Sequence, residues 1–132
     1  MTKVIVCGGR KFGTMWSPVF HRWTMNVVER EFLYSTLTEL NQIRHFTRLA
    51  HGFASGADTL AENWSLMNGV LSKRYPADWH LGKRAGMLRN QQMLTEESPN
   101  LVVGFKGSNG TKNMIDIARA AGVEVLTPGW EY

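Results

Sequence analysis

Residues 2–9, Thr-Lys-Val-Ile-Val-Cys-Gly-Gly (TKVIVCGG), decide the fold. A short β-branched run that stops abruptly at two glycines reads as a buried strand feeding a tight turn. Working outward, the same unit recurs. Phe46 to Ala50 (FTRLA) is a second candidate strand and runs into His51-Gly52-Phe53-Ala54-Ser55-Gly56-Ala57-Asp58. Val70 to Tyr75 is a third, leading into Pro76-Ala77-Asp78-Trp79. Leu101 to Phe105 is a fourth, followed by Gly107-Ser108-Asn109-Gly110-Thr111, and Val123 to Leu126 closes the series.

Between the strands lie helical stretches. Val28, Phe32, Leu33, Leu37, Leu40 and Ile43 recur at helical spacing between about Asn26 and Ile43. A second helix runs to about Asn68 and stops at Gly69, a third covers Lys83 to Leu94, and a fourth covers Asn113 to Ala121. Strand and helix alternate as βαβαβαβαβ, and right-handed crossovers then favour a parallel sheet with helices on both faces. The expected fold is α/β: one Rossmann-like three-layer domain over 1–132 with a five-stranded, mainly parallel sheet. Residues 11–23 (KFGTMWSPVFHRW) show no clean period and read as a long loop.

The chain of 132 residues suits one domain that needs no staples. Its single cysteine, Cys7, excludes an internal disulfide and a Cys-rich zinc site. Met1 enters the first strand with no signal-peptide pattern, and no apolar run is long enough to span a membrane, so a reducing cytoplasm is the expected location. Fifteen Lys and Arg against eleven Asp and Glu give a net charge of +4. Residues 1–90 hold 12 basic and 6 acidic side chains, whereas 91–132 hold 3 and 5, so the cations of any anion site lie mostly upstream of Asn90. No basic block or stripe is present, which makes nucleic acid an unlikely partner.

In a doubly wound sheet, ligands bind outside the carboxyl ends of the strands. Gly8-Gly9-Arg10, Gly52 with Ser55-Gly56-Ala57-Asp58, Asp78 and Gly107 to Thr111 all follow strands, so they are expected to converge on one edge. Glycine turns before helices expose backbone N–H groups that cradle phosphate. Alone, each turn is equally well explained as a tight connection; three at one edge favour a ligand. Arg10 suits a phosphate or carboxylate, and Asp58 or Asp78 suits ribose or base polar groups, against the plainer roles of a first-turn acid and an Asx turn. Trp79 is read as core cover, and Met87, Met93 and Met114 as core. Gly86 inside a helix signals close approach of another group, and Arg89-Asn90 project near it. Gly-x-Gly-x-x-Gly is absent after the first strand, Gly104 to Lys112 lacks P-loop spacing, and the four histidines lack metal-ligand spacing. No cofactor or metal is called for.

The segments CGGRKF, HGFASGADTLAENW, YPADW, GKRAGMLRNQQM and VVGFKGSNGTKNMIDIARAAGVEV, in that order, resemble the SLOG superfamily and within it the YspA-like branch typical of bacteria and phages. The resemblance covers 1–12 and about 29–126. It implies a nucleotide or nucleotide-derived ligand at the glycine turns. The expected protein is a sensor or sequestering protein that forms a homo-oligomer.

Relatives include LOG-type phosphoribohydrolases and the DNA-uptake protein DprA, so N-glycosidic hydrolysis of nucleoside monophosphates and single-stranded DNA binding are the alternatives. LOG-type hydrolases carry an Arg-Lys-x-x-Met helix and a Pro-Gly-Gly-x-Gly-Thr-x-x-Glu turn, whose arginine and glutamate are catalytic. Arg89 to Met93 (RNQQM) resembles the first, and residues 106–114 (KGSNGTKNM) the second, with Met114 at the glutamate position. A methionine neither stabilises an oxocarbenium-like state nor activates water, so binding ranks above turnover. The stretch 13–29 looks like an inserted loop longer than usual in this branch, and loops of that length are usually functional. It is expected to act as a lid or an oligomer contact.

Overall fold

In the computed structural model, which describes residues 1–132, the opening run is strand β1 (Thr2–Cys7). Successive side chains of a strand point to opposite faces. Val4 and Val6 therefore enter one core with Leu33, Leu37, Leu49, Ala61 and Trp64, while Ile5 and Cys7 enter another with Met93, Val102, Met114 and Ala118. Two cores on two faces of one sheet make the three layers.

The sheet also contains β4 (Phe46–His51), β5 (Ser72–Arg74), β6 (Leu101–Gly104) and β7 (Glu124–Leu126), in the order β5-β4-β1-β6-β7. Every neighbouring pair is parallel. Helices α1 (Val27–Arg44) and α2 (Ala57–Asn68) pack together on one face, and α3 (Ala85–Glu97) and α4 (Asn109–Ala120) on the other. Strand order reverses between β1 and β6, which places the crevice expected of a doubly wound sheet above those two strands.

Leu37 and Leu49 are wholly buried. Truncating either to alanine costs about 2–5 kcal/mol. Trp64 anchors the α1–α2 contact, its indole N–H donating to Thr38 Oγ1 at 3.0 Å. Helix α2 ends at Gly69 in the left-handed conformation, φ 66°, as the sequence predicts. No helix is long and apolar enough to cross a membrane.

Three elements differ from expectation. The loop carries a two-stranded antiparallel hairpin, β2 (Thr14–Ser17) and β3 (Arg22–Met25), with Trp16 opposite Trp23. Strands of four residues are too short to display an alternation, and Pro18 marks only their turn. Helix α4 begins at Asn109 rather than Asn113, so Asn109, Gly110 and Thr111 form its first turn. Helix α3 is preceded by a 3₁₀ segment, Trp79–Arg84, broken at Gly82. Trp79 and Met87, read as core, are each 57% exposed, because the 3₁₀ segment and the first turn of α3 flank an open cavity rather than the sheet. Met93 and Met114 are buried as expected.

Candidate functional site

Since the sheet strands run parallel, the turns after β1, β4, β5 and β6 leave from one edge. They are tied to one another through backbone. Gly9 N–H donates to Lys106 O at 3.0 Å, Ala57 N–H to Gly9 O at 3.1 Å, and Ser55 Oγ–H to Arg10 O at 3.2 Å. Gly56 has φ 78°, and a Cβ there would overlap the Gly9 and Arg10 carbonyls, so only glycine fits. Its role is to let two turns meet.

Above the crevice lies a cavity of about 900 Å³. It is lined by Gly8, Gly9 and Arg10 after β1, by Gly107 to Thr111 from the adjoining turn after β6, and by Gly52, Asp58, Arg89 and Asn90. Of the other residues singled out in the sequence, Ser55 lies on a smaller adjoining cavity, and Gly56 and Asp78 on neither. Asp78 caps the 3₁₀ segment instead, Oδ1 accepting from His80 N–H at 3.2 Å.

The cavity favours anions. Arg10, Lys11, Lys83, Arg89 and Lys106 line it against two carboxylates, Glu29 and Asp58. The first-turn amides of α4 at Asn109, Gly110 and Thr111 have no backbone partner, and Ser108 gives no side-chain cap. A helix N-terminus left open on a cavity wall carries partial positive charge and free donors. Asn90 holds it there: buried on α3, its amide donates to Gly110 O at 3.1 Å and to Asn113 Oδ1 at 3.0 Å.

Arg89 is a strut as well as a cation. Its Nη1 donates to Gly52 O and to Tyr75 O, and Nε donates to Asn90 Oδ1 at 3.0 Å. A side chain at position 52 would collide with the guanidinium, which is why glycine stands there. Burial lowers the Arg89 pKa, and nearby Arg10 adds to that while Asp58 opposes it.

Asp58 sits in the first turn of α2 and is only 5% exposed. Its Oδ2 accepts from Ala54 N–H at 3.2 Å, but Oδ1 is buried with no partner. Burial pushes the carboxyl above its usual range, and the Ala54 amide, the charge of Arg89 and the nearby Gly52 amide pull it back only in part. An orphan carboxylate oxygen in a protein interior is costly and calls for a physical reason.

Behind Asp58 lies a fully satisfied cluster. His51, 1% exposed, accepts the Phe53 N–H at Nδ1 (3.0 Å), so its proton sits on Nε2 and is donated to Glu62 at 2.6 Å. Ser72 Oγ–H also reaches Glu62 at 3.1 Å. Burial alone would raise the Glu62 carboxyl, yet these hydrogen bonds hold it below the usual value.

Sequence reasoning missed Lys11, Lys106 and Lys83. The first two are adjacent to glycine turns, which was signal enough to include them. Glu29 had no such signal. It reaches the cavity because the hairpin returns the chain, with Gly13 N–H donating to Glu29 Oε1 at 2.9 Å and Asn26 Oδ1 accepting from Glu29 N–H at 3.1 Å. Met114 lies in the core between α4 and the sheet and does not line the cavity.

A family model described as YspA, cpYpsA-related SLOG family matches residues 2–82. That span contains Gly8 to Arg10, Gly52 to Asp58 and Trp79; Arg89 and the first turn of α4 lie beyond it. The chain is also similar to the Gene 61 protein of Mycobacterium phage D29, 33% identical over 98 residues, which take in 69% of this chain and 78% of that protein. No solved structure matches.

Proposed function

The chain belongs to the YspA, cpYpsA-related SLOG family, and from that premise we propose that it binds a nucleotide or nucleotide-derived small molecule in the 900 Å³ cavity, as a cytoplasmic sensor or sequestering protein. The observation that carries this reading is the pairing, in one cavity, of a cationic wall with unpaired helix amides and a buried carboxylate that has an open oxygen. The first suits phosphate. The second suits a ligand donor, a ribose hydroxyl or an exocyclic amine, which would meet the buried Oδ1 once the carboxylate turns about its broad χ2 well. Nucleotides carry both groups about one sugar apart. Of the two acids weighed from sequence, Asp58 takes the role and Asp78 does not, since Asp78 is spent on a cap.

Binding without turnover is favoured by the chemistry of the carboxylates. The position matching the hydrolase glutamate is Met114, 1% exposed, and Glu29 Oε1 already accepts a hydrogen bond from the Gly13 N–H. A concave site of this size suits a small molecule better than single-stranded DNA, which needs an extended basic groove. The hairpin exposes Met15, Trp16, Phe20 and Trp23 yet these line neither cavity, which favours a contact between copies of the chain over a lid.

The test is mass spectrometry of the small molecule released by heating the purified protein, with chromatography of nucleoside monophosphates after incubation. The expected result is an intact nucleotide-type ligand and no free base. Free base appearing in proportion to protein would replace binding with hydrolysis. A protein that neither retains nor takes up any nucleotide would remove the reading.

A further inference from the structure

Phe53 takes no part in the nucleotide site as described. It follows β4 in the left-handed conformation, φ 57°, with its ring 55% exposed. A bulky side chain rarely adopts that backbone, and does so where surrounding structure imposes it, often at ligand sites. Here the constraint is visible: the buried His51 ring, itself fixed on Glu62, accepts the Phe53 N–H. Arg74 lies over the Phe53 ring, 5.0 Å from its centroid. The chain thus holds an aromatic ring in a set position at the surface without burying it.

That ring walls the second cavity, about 460 Å³, together with Pro76, Ala77 and Trp79. Arg10 and Trp79 line both cavities, and the Arg10 guanidinium stands 5.1 Å from the centroid of the Trp79 ring. Gly52, Ala54 and Arg89 also line both, so the boundary between the cavities has a fixed part and a part made by a cation–π pair of exposed side chains. Such a pair is weaker than a charge-assisted bond from arginine to phosphate. An anion in the first cavity would compete with Trp79 for Arg10 and leave the indole free to meet a ring.

Asp58 and the open end of α4 line the first cavity and not the second. At about 900 Å³ the first cavity is at the top of the range that a single drug-sized ligand fills, so one nucleotide fits within it whole. We propose that the second cavity seats a second planar ring, which makes the ligand class two nucleosides joined through phosphate. One nucleoside meets Asp58, the linking phosphate lies under Arg10, and the second base rests against Phe53 and Trp79. This rests on the nucleotide reading of the first cavity.

The experiment is calorimetry of the full chain with two probes, AMP and the 5′-phosphorylated dinucleotide pApA, on wild type and Phe53→Ala. Phe53 lines only the second cavity and is exposed, so its loss leaves the fold and the AMP site in place. The expected result is pApA binding at least 10-fold tighter than AMP to wild type, with that gain abolished in Phe53→Ala and AMP affinity unchanged. Equal affinities in wild type, or a gain that persists without Phe53, overturn the second seat and leave the first reading standing. Absence of binding by both probes overturns both.

Discussion

Two carboxylates in this molecule, Asp58 and Glu97, are each 5% exposed, and they are treated in opposite ways. Glu97 closes α3 inside a cluster of its own. Its Oε2 accepts from Arg48 Nη2 at 2.9 Å and from the Tyr75 hydroxyl, and its Oε1 is ion-paired with Arg48 Nε at 2.8 Å. Burial and that hydrogen bond push the Tyr75 phenol up to about 12, and the Glu97 hydrogen bond raises the Arg48 pKa. Asp58 opens α2 and lines the cavity with one oxygen unpartnered. Equal burial with unequal satisfaction separates an acid that holds the fold from one kept for a ligand. Satisfied buried polar groups are the norm, and of the three buried side-chain atoms without a hydrogen-bond partner, Arg30 Nε, Arg48 Nε and Asp58 Oδ1, only the last belongs to a residue lining the cavity, so that exception carries the functional information.

The comparison is broken most severely by Glu97→Ala. It strands the Tyr75 hydroxyl and one side of Arg48, and because the Arg48 side chain is 37% exposed the loss is less than for a sealed pair. Chemical denaturation should show a loss of about 2–3 kcal/mol, with nucleotide affinity unchanged apart from the unfolded fraction.

Asp58→Asn should do the reverse. Removing a buried charge with one unpartnered oxygen should raise stability by about 1 kcal/mol at pH 8, read from the same denaturation curves, while weakening the ligand site.

The pH dependence sharpens this further. Asp58 has its carboxyl raised above 3.8, so its contribution to stability is full below that value and is lost as pH rises through the raised one. Glu62, lowered from 4.5, works in the opposite direction: its contribution is present above 4.5 and is lost as pH falls through the lowered value. The stability of Asp58→Asn relative to wild type should therefore grow from pH 4 to pH 8. A difference that stays flat over this range would take the burden off Asp58.

The smallest effect is expected from Trp16→Ser combined with Trp23→Ser on the hairpin, which lies outside both carboxylate sites. Melting temperature and AMP affinity should hold within about 0.5 kcal/mol. If the hairpin joins copies of the chain as proposed, mass in solution should fall toward that of a single chain, and an unchanged mass would remove that proposal.

Much of this was legible in the sequence because β1 is short, β-branched and ended by two glycines, and the pattern repeats at Phe46 and Leu101. Parallel pairing then follows from the helix that joins each strand to the next, and chirality fixes the faces those helices cover. The convergence of the glycine turns was legible for the same reason. Asp58 was visible as a first-turn acid, but its open oxygen was not, since that depends on which amides the turn after β4 brings within reach. The opposed treatment of Glu97 had no sequence signal, because its partners lie on β4 and after β5. The early start of α4 was hidden by Ser108-Asn109-Gly110, a turn-like composition that tertiary packing through Asn90 overrides. Trp79 and Met87 misled because apolar residues line cavities as readily as cores.

Calorimetry of AMP against wild type and Asp58→Asn, with melting temperatures recorded on the same samples, tests the central claim most directly. The account predicts that wild type binds and that the variant binds at least 10-fold more weakly while melting at the same or a higher temperature. Equal affinity in the two proteins, or weakened binding that merely tracks a lower melting temperature, would contradict it.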